Sequence, residues 1–157
     1  VRDIPLNSKG TVAMGLGLGY AYNRLFSNLR LQTDSKYSSF SVQENEKNLQ
    51  TYSSLIVPLS FRYRTSTPNR TDFWRIYGGI KYKLNFSAKF RSSDVKAIKY
   101  NFIRKNNTAV FLSLGYNTWN LFFEYDLNSI YTSRAQLPSG ASIDLHSYQL
   151  GLIFYIL

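Results

Sequence analysis

The chain contains no cysteine, a single histidine and a single methionine. Without cysteine there is neither a disulfide framework nor a thiol nucleophile, and with one imidazole a metal would have to be held largely by carboxylates. No run of about 18 apolar residues occurs, which excludes a membrane-spanning helix. It does not exclude a crossing by strands, where only every second residue need be apolar. Acid is scarce as well: 9 Asp and Glu stand against 19 Lys and Arg, a formal net charge of +10. The basic residues are spread along the chain rather than gathered on one helix or arm, and no nucleic-acid-binding signature accompanies them, so no nucleic-acid partner is expected. Neither an initiator Met nor a charged stretch leading into an apolar run opens the chain, as expected of a mature exported protein or of one whose leader lies upstream.

What is abundant is tyrosine and phenylalanine, 13 and 11 of the 157 residues, and alternation. Phe73 to Phe90 reads FWRIYGGIKYKLNFSAKF. Its even positions, from Trp74 to Phe90, are apolar and aromatic, while its odd positions carry Arg75, Lys81, Lys83 and Lys89. Side chains alternate between the two faces of a strand, so this is one long strand with a greasy face and a basic one. Thr11 to Asn23 repeats the pattern: Val12, Met14, Leu16, Leu18, Tyr20 and Tyr22 oppose a face of Gly and Ala. That small-residue face leaves room for large side chains inside a narrow barrel. Gln50 to Arg64, Thr108 to Asn117, Trp119 to Thr132 and Ile143 to Leu157 alternate similarly, and Leu29 to Val42 reads as a more polar strand with a parity shift between Tyr37 and Phe40. Pro58 cannot donate to a ladder, so an irregularity is expected there. Arg91 to Asn107 is a long basic connection whose Ile98 to Ile103 stretch extends the flanking strands.

With Val1 to Leu6 as a short or truncated first strand, the count closes at eight. The expected fold is all-β: a single-domain, eight-stranded antiparallel up-and-down transmembrane β-barrel in a bacterial outer membrane. The rival is a soluble lipocalin-like ligand-binding barrel, whose polar face meets water. The lipid-facing reading rests on the bulk of the apolar face, the Gly/Ala wall, and aromatics at strand ends. Tyr20, Tyr22, Tyr63, Trp74, Tyr116, Trp119 and Phe154 are expected to form an interfacial girdle at the end of the barrel with the short turns. Inside, Arg62, Arg64, Arg75, Lys81 and Lys83 are expected to form a charge network with Glu124 and Asp126, the two carboxylates reaching Arg62, Arg75 or Lys81 and plugging the lumen.

Gln149, Gly151, Phe154 and Ile156 resemble the C-terminal signal read by the barrel-assembly machinery, with Ile156 in place of an aromatic. More widely, the segments SSLIVPLSFRYR, FWRIYGGIKYKLNF, TAVFLSLGYNTW and LFFEYDLNSIY resemble the PorT-like outer-membrane β-barrel family of Bacteroidetes-type bacteria. The resemblance implies an eight-stranded outer-membrane barrel, and its namesakes are linked to type IX protein secretion. It carries no catalytic residues. The expected function is therefore non-enzymatic: a structural or accessory subunit of a complex for secretion, barrel assembly or transport. Its partners would be outer-membrane lipid, lipopolysaccharide and other outer-membrane or periplasmic proteins, with no cofactor or metal. A lipid A-modifying barrel enzyme is the alternative; its only histidine would be His146, with Asp144 on the same face and Ser147 on the other.

Overall fold

The structure, a computed structural model, describes residues 1–33, 38–42, 47–65, 73–92 and 96–154. Among them there is no helix, and the strands pair antiparallel throughout. The main sheet runs in the order β1 (Arg2–Pro5), β2 (Val12–Leu16), β6 (Asn48–Arg64), β7 (Trp74–Arg91), β9 (Asn106–Tyr116), β10 (Trp119–Asp126) and β11 (Tyr148–Phe154). Two further strands join this path: β3 (Gly19–Ser27) continues the line of β2 along β6, and β8 (Ile98–Lys99) pairs with the far end of β7. Among the described residues no ladder joins β11 to β1 or β3.

The expected strand Leu29 to Val42 is not part of this sheet. It is a separate two-stranded hairpin of β4 (Leu29–Thr33) and β5 (Ser38–Val42), with Leu31 beside Phe40. The parity shift between Tyr37 and Phe40 begins outside the described residues, and among the described residues the main path has seven strands where eight were expected. Two other bounds also differ. The strand from Trp119 ends at Asp126 rather than Thr132, and the last strand begins at Tyr148 rather than Ile143. The irregularity expected of Pro58 falls on its neighbour. Gly17, directly opposite, sits in the two-residue gap between β2 and β3, where its N–H still reaches the Pro58 carbonyl at 3.2 Å.

Greasy side chains point out of the sheet and polar ones point in. Leu16, Ile80 and Leu121 are 51, 48 and 52% exposed, whereas the Glu124 and Lys83 side chains are only 4 and 9% exposed. A soluble ligand-binding barrel requires the reverse. Gly15 serves the inner face as expected, although the room it leaves is for a neighbour in the same sheet: a Cβ there would lie 2.6 Å from Nε of Arg62.

This polarity inverts once, at a β-bulge. Thr51 pairs with Lys89 but Ser53 pairs with Phe86, so Tyr52 faces both Ser87 and Ala88, and Ser87 takes a left-handed φ of 54°. Before the bulge the odd residues of β7 face inward; after it the even ones do. Phe90, expected on the outer greasy face, is therefore 1% exposed, and Lys89, expected inside, is exposed. Beyond the bulge Phe90 packs with Phe40, Tyr100, Ile103, Ile130, Tyr131 and Ala135 in a conventional apolar core that caps the end of the sheet bearing the long connections. Gln50 ties this cap to the sheet, its Oε1 accepting from the hydroxyls of Tyr100 (2.7 Å) and Tyr131 (2.8 Å).

Two predictions follow from the inversion. Phe90→Ala removes a buried ring at a cost of about 3–5 kcal/mol and opens the cap to limited proteolysis within 92–105. Phe86→Ala, only four residues away but on the outer face, leaves the protease pattern unchanged. Burial pushes the Tyr100 hydroxyl far up and that of Tyr131 up to about 12, against the small opposing effect of its bond to Gln50. Between the ordinary tyrosine value near 10 and 12, the unfolded chain releases a proton that the folded chain keeps. Cap stability is hence expected to fall as pH rises through that window, by at most about 3 kcal/mol for Tyr131. Following denaturation across pH 9–12 checks this; Tyr131→Phe should reduce the dependence and leave the part that Tyr100 contributes.

Candidate functional site: a polar inner face

The inner face is organised by residues two apart on β7 and β10, which the pleat turns to the same side. Through the intervening β9, Lys81 and Lys83 meet Glu124 and Asp126. Nζ of Lys81 lies 2.5 Å from Oε2 of Glu124, and Nζ of Lys83 lies 2.5 Å from Oε1 of Glu124 and 2.6 Å from Oδ1 of Asp126. Two ammonium groups thus share two carboxylates in an unbroken chain. The Lys81 ammonium also stands over the inward-facing rings of Phe122 and Phe111, at 4.3 and 5.0 Å from their centroids. Ion chain and rings occupy the middle of the interior, leaving a cavity of about 200 Å³ beside them, bordered by Ala21, Asn23, Tyr52, Ser54 and Gln149.

Sequence reasoning expected Glu124 and Asp126 to engage Arg62, Arg75 or Lys81. Lys81 does so; Lys83 is the shared partner of both carboxylates; Arg62 and Arg64 belong to a second cluster. Both arginines bind Asp3 on β1, Arg62 at 2.6 Å, and both stack their guanidinium groups over Tyr77, at 4.8 and 5.5 Å. Arg75 is buried, with its guanidinium 4.3 Å from the centre of the Phe73 ring. Asp3 went unrecognised because a four-residue strand has too few positions to show alternation. Phe111 and Phe122 share the polar face by parity, but as aromatics among charges they carry no sequence signal of an inward role.

The upper interior continues in neutral groups. Nδ2 of Asn23 donates to Oγ of Ser54 at 2.9 Å, and that hydroxyl donates to Oδ1 of Asn85 at 2.6 Å. His146 lies at the end of this inner face. Its Nδ1 lies 3.0 Å from the Asp126 carbonyl, its Nε2 lies 3.3 Å from Asp144, and its ring stacks on Tyr125. No group of three potential metal ligands converges among the described residues.

The expected girdle divides in two. Trp74, Tyr116 and Trp119 are cross-strand neighbours in one lateral row that continues to the backbone of Phe154, and Tyr63 lies one step away on β6. Tyr20 and Tyr22 are not in this row. Val12 is the residue beside Tyr63, and Tyr20 lies eight residues further along the same line, opposite Leu55. At roughly 3.3 Å per residue that is about 26 Å away, where Tyr20 meets Phe86 at 6.5 Å. Of the terminal signal, Gln149 pairs with Glu124 and Gly151 with Phe122, while Ile156 lies outside the described residues.

Glu124→Gln leaves two buried lysines with one carboxylate, which is expected to cost on the order of 3–5 kcal/mol and to lower the denaturation midpoint. Lys81→Met combined with Glu124→Leu should recover most of that loss if the penalty is unpaired charge. No family model, curated protein or solved structure matches the chain.

Proposed function

We propose that the chain is an integral outer-membrane β-barrel without catalytic activity, acting as a structural or accessory subunit of a larger envelope complex. One observation carries the reading: between the two aromatic rows the exposed side chains of the sheet are apolar, apart from Arg2 on the edge strand β1, while the inward ones are largely polar and ion-paired. That span of about 26 Å matches the roughly 25 Å apolar band of a barrel flanked by aromatic girdles. In hydrocarbon a free sheet edge is untenable, because backbone groups there have no water to bond. The barrel closes in this reading through β11 and the open edge of β3, which run antiparallel; Ala21, Asn23 and Gln149 from these two edges border one cavity.

The ion chain and the Phe111–Phe122 pair favour a scaffold over a pore or an enzyme, since they fill the interior with mutually satisfied groups. Protein secretion, barrel assembly or transport is the setting that the resemblance to PorT-like barrels suggests. Purified protein is expected to need detergent, to insert into vesicles with its strands protected from protease, and to show no steady conductance in planar bilayers. Leu112→Arg, on the outer face between the aromatic rows, should weaken folding into bilayers by about 2–4 kcal/mol. Full solubility without detergent, together with an unaffected Leu112→Arg variant, would remove the membrane reading. Extraction in mild detergent followed by mass spectrometry tests the subunit role; a lone monomer would count against it.

A further inference from the structure

The outer face changes chemistry across one row of the sheet. Up to the bulge it carries Tyr20, Tyr22 and Phe86, all at least half exposed. The next outward row runs across four strands: Arg24 pairs with Thr51, Thr51 with Lys89, and Lys89 with Lys99. Arg24, Lys89 and Lys99 are all exposed on this face. Lys89 and Lys99 are directly opposed, an arrangement that holds like charges within about 5.5 Å at Cβ and is unfavourable unless an anion lies between them.

No such anion comes from the described residues. Asp3, Glu124 and Asp126 are engaged in the interior and Asp144 lies against His146. Arg24 leans over the Phe26 ring at 5.6 Å, and no carboxylate reaches any of the three cations among the described ion pairs. At the bulge beneath the row a cavity of about 340 Å³ opens between Phe86, Ser87, Asn101 and Lys105, adding a hydroxyl, an amide and a further cation.

We infer that the row Arg24–Lys89–Lys99 binds the phosphate groups of a membrane lipid whose acyl chains lie along Tyr20, Tyr22 and Phe86. The site rests on the membrane reading above. Its chemistry is that of a phosphorylated lipid rather than a free anion, because the cations border the greasy face one row beyond Tyr22 and Phe86. The bulge is what brings Lys89 into this row beside Arg24: without the parity change at Ser87, Lys89 would point inside.

The test uses the full chain inserted in zwitterionic phosphatidylcholine vesicles, with insertion verified by protease protection, followed by titration of phosphatidylglycerol or lipid A and native mass spectrometry of retained lipid. Failure to insert sinks the membrane reading and the site with it. After insertion, the wild type should retain anionic lipid over zwitterionic lipid. The triple variant Arg24→Gln, Lys89→Gln, Lys99→Gln should lose that preference by on the order of a hundredfold. A second triple variant, Lys9→Gln, Lys96→Gln, Arg134→Gln, removes equal charge elsewhere and should retain the preference, as should Lys89→Arg with Lys99→Arg. Equal losses in the two Gln triples, no loss in either, or displacement of the lipid by inorganic phosphate at matching concentration would overturn the site while leaving the membrane reading intact.

Discussion

A strand offers its two faces to two surroundings, and up to the bulge the long strands of this sheet assign them alike: apolar side chains outside, mostly polar and ionic ones within. The arrangement is tenable only if the enclosed charges satisfy one another, since an isolated buried charge is far costlier than an exposed leucine. The Lys81–Glu124–Lys83–Asp126 chain meets that condition on β7 and β10, and the Asp3 pairing with Arg62 and Arg64 meets it at the end of β6. Small residues complete the interior. At Gly15 a methyl group would collide with Arg62, and at Gly115 a Cβ would lie 1.9 Å from the Asn120 side-chain oxygen.

The single bulge opposite Tyr52 divides the molecule into two regimes. Below it the sheet is inverted relative to a soluble protein; above it Phe90, Phe40 and Tyr131 are buried as in any water-soluble core. One extra residue suffices because the side-chain period is two, so a shift of one exchanges the faces. The same step that turns Phe90 into the cap turns Lys89 out, and a basic row follows directly on an aromatic one. A conventional core at one end suits a segment surrounded by water, and the inverted face suits one surrounded by hydrocarbon.

The strand of Phe73 to Phe90 was legible from alternation over its first seven pairs of residues, and so was the inward set Lys81, Lys83, Glu124 and Asp126. The strands from Thr108 and from Trp119 were legible too, because their two apolar patterns abut at the Asn117–Thr118 turn. Alternation failed wherever the period was interrupted. Leu29 to Val42 looked like one irregular strand because a hairpin and a bulge both shift parity, and pattern alone does not separate them. Tyr20 and Tyr22 were put at the wrong end because a strand's direction relative to its neighbours comes from pairing. Once Val12 stands beside Tyr63, the tyrosines are carried to the far side.

The residues by themselves determined an all-β chain, the two-faced character of its strands, and which side of each is greasy, because a period of two is written directly into the order of side chains. The tertiary structure decided which face is enclosed, which lysine meets which carboxylate, and where the faces exchange. Those depend on register between strands far apart in sequence, and on a left-handed Ser87 that nothing in the local pattern announces.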